Sequence, residues 1–454
     1  MLISVLLASI FFDSVGLKMF GGLFNIRPSF VVAAIVFPVL GYRWLISHQR
    51  FQTTPLLPFL LGLDACFFLS TAINWRSPVI LRGFITCTLL AVNIAFFVVV
   101  YWHARRPQRA TRLLRILVTI AAIYAVFGIV VLLLYQVGFG PARYLVEFRA
   151  LGDWTMGNAQ YDPTPRPWFL EPNVGSYLAA IGVMAFAMTL IAGTRERWFY
   201  GIAAGAILTG VLLTYSRGAW VGAIVGGATV VTLVVKNRGM ISVRPLPLIG
   251  LSAALVLTLL VVTAAVPSVK TVLVARLENI LNIGQGTGHD RLVFWLRITR
   301  DALHQPILGH GANAYQLLIP SPLVAENATV EIFHTSGLLG LILYVALNVM
   351  VVVMFWRAFG PRGKSPAMRA AAIIPFGGFL SLLVSSQMNP SFWGNLYWAI
   401  FGLVIALLAP AAMDADHATL VRPDSGSSLS AREGRGNLRP YQRAADPIKD
   451  PKEG

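Results

Sequence analysis

One arginine of this chain lies where binding chemistry is expected. Residues 214–220 read TYSRGAW, and Arg217 in this stretch separates the apolar runs IAAGAILTGVLL and VGAIVGGATVVTLVV. An arginine in a membrane span costs from about 3 kcal/mol to well over 10 kcal/mol, depending on the method of measurement. Because an anion or a water-filled cavity usually offsets that cost, Arg217 predicts a bound anion.

A second group of arginines follows in the segment GTGHDRLVFWLRITRDALHQPILGHGANAY. Its apolar residues are spaced like one face of a helix from about Asp290 to His304, which predicts an amphipathic helix on the outer surface of a membrane. Pro306 and the glycines after it, Gly309 and Gly311, would end that helix in a turn. The predicted apolar face consists of Leu292, Val293, Trp295, Leu296, Ile298 and Leu303, edged by Arg291, Arg297 and Arg300.

Arg217 and Arg291 together are suited to holding phosphate oxygens. A guanidinium group donates paired hydrogen bonds and stays charged, so two of them at one outer cavity would form a clamp for a phosphate or diphosphate. For Arg291 an equally weighted alternative is that it caps a surface helix or contacts lipid headgroups.

Four polar side chains precede or begin the apolar run of residues 332–357: Glu326, Asn327, Glu331 and His334. Glu326 and Asn327 are suited to an N-cap, which the helix dipole would favour. His334 lies about one turn inside the run. A histidine at such a place is more often a hydrogen-bonded interior residue than a catalyst.

The segment before another apolar run, residues 150–179, mixes polar and aromatic side chains. Arg166, Glu171 and Asn173 are its polar candidates for binding. Aromatic faces beside such groups suit sugar rings, but aromatic residues also anchor membrane interfaces, and composition alone favours the interface. The aromatic residues are Trp154, Tyr161, Trp168, Phe169 and Tyr177.

The elements that must position these residues are apolar helices. The chain has 454 residues, is 56% hydrophobic and only 12% charged, and has a mean hydropathy of +0.70. These values predict an all-α polytopic membrane protein, because a soluble chain would carry about twice the charged fraction. At about 20 residues per span, we expect twelve spans, of which the first is weakest and has a re-entrant or interfacial alternative: 2–22, 28–46, 55–73, 78–102, 113–138, 174–193, 197–214, 217–235, 245–266, 332–357, 368–386 and 391–410.

Charge placement predicts the orientation. The net charge is +17, but the basic residues gather in connectors after the even-numbered spans, which indicates membrane topology rather than nucleic-acid binding. Both termini are then cytoplasmic, and the long connectors 139–173 and 267–331 face outward. Residues 411–454, rich in Pro, Gly, Ser and charge, are predicted to be a disordered cytoplasmic tail beside a membrane domain over 1–410. Neither a metal motif nor a nucleotide-binding loop is evident.

Several of these features occur in an order that resembles the O-antigen ligase and Wzy-type polymerase superfamily of bacterial envelope glycosyltransferases. They are the SRG around Arg217, the Arg-x3-Trp pair of Arg291 and Trp295, the P-x2-G-x-G from Pro306, and a polar pair before the G-x2-G that begins at Gly337. The EPN of residues 171–173 also fits. The resemblance covers about residues 150–345, and the span layout extends it to about 410.

The resemblance implies a C-type glycosyltransferase fold in the bacterial inner membrane, with a periplasmic active site that uses neither metal nor cofactor. Its donor would be an oligosaccharide linked to undecaprenyl pyrophosphate, and its acceptor a glycan or lipid A-core, with a chain-length regulator as a further partner. Arg217 and Arg291 would hold the pyrophosphate. The remaining residues carried over as substrate-binding are Arg166, Glu171, Asn173, Asn327 and Trp295.

The chain departs from the superfamily's pattern at one position. The family usually has His-Asn eleven residues before the first glycine of the G-x2-G, and here that pair reads Glu326-Asn327. A carboxylate serves as a general base when an apolar environment raises its pKa. We therefore expect Glu326 to be the base, with His334 as second candidate, and a polymerase of O-antigen or exopolysaccharide repeats rather than a ligase.

Two alternatives belong to other classes of protein. A transporter or flippase of lipid-linked sugars would have charges deep in several spans and symmetry between its halves, whereas the clearly intramembrane charges here are few: Asp64, Arg82 and Asp13. A non-catalytic membrane scaffold would need neither the arginine pair nor a large outer loop.

Overall fold

The structure is a computed structural model of the whole chain. It describes residues 2–11, 13, 17–19, 24–46, 54–75, 80–143, 145–146, 167, 169–191, 194–237, 274, 287–319, 325–360 and 366–420. The ninth predicted span, 245–266, and Arg166 therefore lie outside the described residues.

The described residues form a bundle of helices. In chain order these are α1 (Leu2–Ile10), α2 (Pro28–Ile46), α3 (Leu57–Ile73), α4 (Ile80–Ala104), α5 (Pro107–Gln136), α6 (Pro172–Ile191), α7 (Thr194–Leu213), α8 (Arg217–Lys236), α9 (Thr287–Ala302), α10 (Tyr315–Leu318), α11 (Ala328–Phe359), α12 (Pro366–Ser386) and α13 (Asn395–Leu420). A short 3-10 helix, Pro390–Trp393, precedes α13. Between α1 and α2, two strands, β1 (Leu17–Met19) and β2 (Phe24–Ile26), pair antiparallel.

Within the described part of the chain, six helices are long and apolar enough to cross a membrane. They are α4, α5, α6, α8, α11 and the part of α12 from Met368, while α2, α3 and α13 contain shorter apolar stretches. Large apolar side chains such as Ile35, Ile123 and Ile342 are exposed on the outer faces of these helices, as expected for helices that contact lipid. The protein is thus an integral membrane protein built almost entirely from helices.

The first predicted span is wrong. A helix over 2–22 would be long enough to cross a bilayer, but α1 ends at Ile10 and β1 begins at Leu17. Asp13, which lies in between, accepts hydrogen bonds from the backbone nitrogen and hydroxyl of Ser29 and from the amide of Asn395. The carboxyl group therefore finds protein donors, and the chain turns instead of continuing as a helix.

Two other helices differ from their predicted form. α11 is broken at Gly337, whose backbone has φ 63° and ψ −158°. α13 continues to Leu420, so residues 411–420 are helical although the disordered tail was predicted to begin at 411. The rest of that tail, 421–454, lies outside the described residues.

Among the six candidate spans, α6 has the largest buried share, and it packs against α7, α8 and α12. Close packing of α8 on α12 depends on Gly222 and Gly226, which are four residues apart and so lie on one face of α8. A methyl group at Gly226 would lie 2.6 Å from the carbonyl oxygen of Gly377, and one at Gly222 would clash with Ser385. These small residues let the two backbones approach and hold α8 in place.

Candidate functional site

Glu326 lies at the centre of the candidate site. Its Oε2 is 2.5 Å from the nearest guanidinium nitrogen of Arg291, and the two side chains are 23% and 29% exposed. Burial raises the pKa of the Glu326 carboxyl, while the positive charges of Arg291 and Arg217 act in the opposite direction. Both sequence-predicted arginines thus act on the carboxyl group that was predicted to be the base.

Arg217 is positioned by the two residues beside it. Ser216 is the N-cap of α8, and its hydroxyl accepts a hydrogen bond from Ala219 N at 3.3 Å. Gly218 is packed so closely that an added Cβ would lie 2.6 Å from that of Met388. The serine and glycine of the SRG motif therefore have structural roles, which fix the start of α8 and with it the arginine.

Asn389 joins the starts of two helices at this end of the bundle. Its amide nitrogen donates to the hydroxyl of Ser216 at 2.8 Å and to that of Ser176 at 2.9 Å. Since Ser176 is in the first turns of α6 and Ser216 caps α8, the N-termini of these two helices converge. The N-terminus of a third helix, α11, follows directly after Glu326. Helix N-termini carry partial positive charge, which adds to the arginines and favours an anion there.

The Arg-x3-Trp spacing has a clear geometric explanation. Four residues apart on α9, Arg291 and Trp295 share one face of the helix. While Arg291 pairs with the side chain of Glu326, the indole nitrogen of Trp295 donates to the carbonyl oxygen of Ala325. The motif thus holds two successive residues, and Trp295, predicted to bind substrate, has a positioning contact in this structure.

Glu326 is held in an unusual backbone conformation. Its φ is 49°, a left-handed value that costs roughly 1–3 kcal/mol in a residue with a side chain. The next residue, Asn327, is the N-cap of α11, and its Oδ1 accepts a hydrogen bond from Val330 N at 3.0 Å. The capping role expected for Asn327 is thus present. Contacts on both sides of Glu326 fix the direction in which its carboxyl group points.

The face of α9 that is buried in the protein carries Phe294, which the predicted apolar face left out, and Ile298, which that face included. Phe294 and Ile298 are buried, and they pack with Tyr315 and Ala325. The predicted face included Leu292, Leu296 and Leu303, which are 43%, 62% and 62% exposed. The helix runs beside the first turns of α11, so it buries the side that carries Phe294.

A second polar cluster lies at the other end of α9, where Asp301 meets His334. His334 Nε2 is 2.8 Å from Asp301 Oδ2, and the His334 side chain has no exposed surface. His310 Nε2 lies 3.0 Å from the backbone oxygen of Asp301. Because His334 is enclosed, this geometry favours a role in joining α9 to α11 over contact with substrate.

The sequence reasoning missed Asp301, although one signal was available. An acidic residue in the last turn of a helix is unfavourable to the helix dipole unless it has a partner. Asp301, His310 and His334 are also the one group of possible metal ligands in the part of the chain described, with ligand atoms within 4.8 Å of one another. His334 Nδ1 is buried without a hydrogen-bond acceptor, whereas metal-bound histidines normally donate from that nitrogen, so the surroundings do not fit a metal site.

The glycine motif after α9 packs into the break in α11. Leu338 N donates to the oxygen of Pro306 at 2.7 Å, and His310 N donates to that of His334 at 2.9 Å. The loop thereby satisfies backbone groups that the broken helix leaves without partners. An added Cβ at Gly337 would clash with the carbonyl of Ile307, so only glycine permits this junction. The expected turn is present, and it also fixes the helix that follows Glu326.

Glu171 and Asn173 are placed at the start of α6, where both line a cavity of about 120 Å³. Neither Glu326 nor Arg291 lines that cavity. Phe169 and Tyr177, two of the aromatics interpreted as membrane-interface residues, are buried in the protein; Tyr177 donates from its hydroxyl to the oxygen of Ser391. The interface interpretation is therefore wrong for these two residues, and Trp154, Tyr161 and Trp168 lie outside the described residues.

Comparison with known proteins agrees with the motif order. No curated protein matches the chain. Residues 202–345 match the model of the family Wzy_C, described as O-antigen ligase, and this segment includes Arg217, Arg291 and Glu326. The match confirms the predicted resemblance: residues 202–345 are similar to the O-antigen ligase family.

Proposed function

We propose that this protein is a glycosyltransferase that polymerises O-antigen or exopolysaccharide repeat units at the periplasmic face of the inner membrane. Its donor is a glycan linked to undecaprenyl pyrophosphate, and the reaction needs no metal and inverts the anomeric centre. The observation that carries this proposal is the ion pair of Arg291 with Glu326, a carboxyl group whose pKa the charge of Arg217 also lowers, within the segment that matches the O-antigen ligase family.

The two arginines bind the donor's diphosphate. Paired donation from guanidinium groups suits phosphate oxygens, and converging helix N-termini add to the favourable potential. As the bond between the sugar and the diphosphate breaks, negative charge grows on the leaving oxygen. Fixed donors at that position stabilise the transition state more than the ground state.

Glu326 acts as the general base. Its carboxylate takes the proton of the acceptor hydroxyl as that oxygen forms a bond to the anomeric carbon of the donor sugar. The bond from that carbon to the phosphate oxygen breaks, and undecaprenyl pyrophosphate leaves with the electron pair. Attack from the side opposite the leaving group inverts the anomeric configuration.

The ion pair between Glu326 and Arg291 gives donor binding a part in catalysis. When Arg291 pairs with the diphosphate, its positive charge stabilises the Glu326 carboxylate less. The pKa of the Glu326 carboxyl therefore rises when the donor binds. A higher pKa makes the carboxylate a stronger base at the moment it is required. In the absence of donor, the same ion pair holds the carboxylate in position.

A ligase that transfers glycan to lipid A-core is the second candidate. The description of the matching family as O-antigen ligase favours it, whereas the glutamate at position 326, in place of the family's usual histidine, favours the polymerase. For both reactions we propose a twelve-span topology over 1–410 with cytoplasmic termini, a catalytic core over about 150–345, and a chain-length regulator as partner. Arg166 and Asn327 are proposed to contact the glycan.

A transport function is less well supported. Of the intramembrane charges noted in the sequence, Asp13 is hydrogen-bonded to Ser29 and Asn395 at the edge of the bundle. Substrate movement across a bilayer without any change in the glycan would favour a flippase over a transferase.

The test is a transfer assay with purified protein in proteoliposomes and lipid-linked repeat units, with glycan length read on a gel. We expect Arg217→Ala to lower the rate at least about 100-fold, the effect of removing one preorganised donor to a developing charge. Arg297→Ala is the matched control, because this arginine is exposed on α9. A folded Arg217→Ala protein with full activity contradicts the proposal.

Polymerase and ligase are separated in cells that lack the gene. Surface polysaccharide capped with a single repeat indicates a lost polymerase, and bare core indicates a lost ligase.

A further inference from the structure

The polar cavity lined by Glu171 and Asn173, here named the Arg27 cavity, lies at the same end of the bundle as Glu326. Its volume is about 120 Å³. A water's share of liquid volume is about 30 Å³, so the cavity has room for about four waters, which the hydroxyl groups along one edge of a sugar ring would replace. Its polar and aromatic lining includes Asp13, Arg27, Glu171, Asn173, Tyr177 and Trp393.

Two polar groups of this cavity, Asp13 and Asn395, are held in place before any ligand binds. Asp13 accepts hydrogen bonds at 2.9 Å and 2.6 Å from the nitrogen and hydroxyl of Ser29, and at 3.0 Å from the amide of Asn395. Asn395, which also lines the cavity, donates in addition to the Ser29 hydroxyl. A ligand therefore meets fixed partners and does not have to order them, which favours affinity.

The charges of the Arg27 cavity differ from those of the arginine pair. Two carboxyl groups, Asp13 and Glu171, accompany one guanidinium group, so the cavity has no surplus positive charge to attract a diphosphate. Carboxyl and amide groups instead pair with hydroxyl groups, and the rings of Tyr177 and Trp393 offer apolar faces. This combination fits an uncharged ligand that is rich in hydroxyl groups.

The cavity is linked to the candidate site by two short paths. Asn389 connects Ser216, the residue before Arg217, with Ser176, the residue before Tyr177. On the other side, Trp393 lies next to Glu331, five residues after Glu326. A glycan that occupied the cavity would thus lie near the place where the diphosphate is held.

We propose that the Arg27 cavity binds one uncharged sugar ring of the glycan substrate, as a subsite separate from the arginines that hold the diphosphate. The inference rests on the proposed function. It divides recognition between two places: the cavity selects the sugar, and Arg217 and Arg291 bind the lipid diphosphate whatever sugar it carries.

The experiment measures two ligands separately on the full chain in nanodiscs. One probe is the repeat-unit oligosaccharide released from the host's own surface polysaccharide, free of lipid. The other is undecaprenyl pyrophosphate without sugar. The variants are Asn173→Ala, Asn173→Asp and Arg27→Gln, with Asn237→Ala at the opposite end of α8 as control, and thermal unfolding verifies that each variant is folded.

We expect Asn173→Ala and Arg27→Gln to bind the oligosaccharide about tenfold more weakly, the effect of one lost hydrogen bond. Their KM for the lipid-linked glycan should rise by a similar factor, with affinity for undecaprenyl pyrophosphate unchanged. Asn173→Asp keeps the size of the side chain, so its weaker binding would exclude a general packing defect.

Each failure has its own signature. Wild-type affinity for the oligosaccharide in all three folded variants overturns the cavity inference and leaves the proposed function intact. A wild-type protein that binds the oligosaccharide through the cavity but neither binds the diphosphate lipid nor transfers glycan overturns the proposed function instead. A protein that binds neither probe overturns both.

Discussion

The ion pair between Arg291 and Glu326 yields a prediction about pH. Burial raises the pKa of the Glu326 carboxyl, and Arg291, the largest opposing influence, lowers it. An opposite charge at this range shifts a carboxyl pKa by about 1–3 units, or about 1.4–4 kcal/mol. Arg291→Gln removes that charge, so the pKa of Glu326 should rise by up to this amount.

The direction of the effect on activity follows from the role of the base. Glu326 must be ionised to accept a proton, so transfer is lost as the pH falls through its pKa. A higher pKa in Arg291→Gln moves this acid limb to higher pH. Arg291→Lys keeps the charge but loses the planar fork, so its acid limb should stay near that of the wild type, although its affinity for the diphosphate falls.

The assay is kcat/KM for the lipid-linked repeat unit from about pH 5 to pH 9, because this ratio reports the groups of the free enzyme. The height of each profile measures the loss of diphosphate binding, and the position of the acid limb measures the pKa. Coincident acid limbs for Arg291→Gln and the wild type would refute the assignment of Glu326 as the titrating base. A Lys variant that shifts as far as the Gln variant would show that charge is not the cause.

Two further predictions concern single residues. Glu326→Gln should lower the single-turnover rate constant of transfer by about 10²–10⁴-fold, the usual contribution of a general base. Glu326→His supplies an imidazole base and should recover part of the rate. A Gln variant within tenfold of the wild type would be inconsistent with this role. Gly337→Ala should lower the free energy of unfolding by at least roughly 1–3 kcal/mol, the cost of a strained backbone, because its methyl group also meets Ile307; the melting temperature should fall with it. Gly41→Ala, which has open space around it, is the control. Equal melting temperatures for the two variants would contradict the packing argument.

Much of the helical architecture could be predicted from the sequence. The helix predicted at 28–46 is Pro28–Ile46, and the one at 217–235 is Arg217–Lys236. An apolar run of this length has few alternatives to a helix in lipid, since every backbone group must be paired within the segment. The prediction of the first span was wrong because Asp13 interrupts the apolar run. Residues elsewhere in the chain donate hydrogen bonds to its carboxyl group.

The candidate site was only partly predictable. Motif order indicated Arg217, Arg291 and Glu326, which the structure brings together. It did not indicate Asp301, or the loop that pairs with the broken helix, because these contacts join residues about 30 positions apart with no local pattern. The face of α9 that packs inside the protein was only partly predicted, because Ile298 was included in the apolar face and Phe294 was left out.

The break at Gly337 has a consequence for how deep the chemistry lies in the bilayer. At 1.5 Å per residue, an unbroken helix of 32 residues would be about 48 Å long, well beyond the roughly 30 Å of hydrocarbon in a bilayer. The portion from residue 338 to Phe359 alone measures about 33 Å, which matches that thickness. The turns between Asn327 and Gly337 then project above the acyl chains, so Glu326 would stand among the hydrated headgroups, at the level where a polyprenyl lipid carries its phosphates.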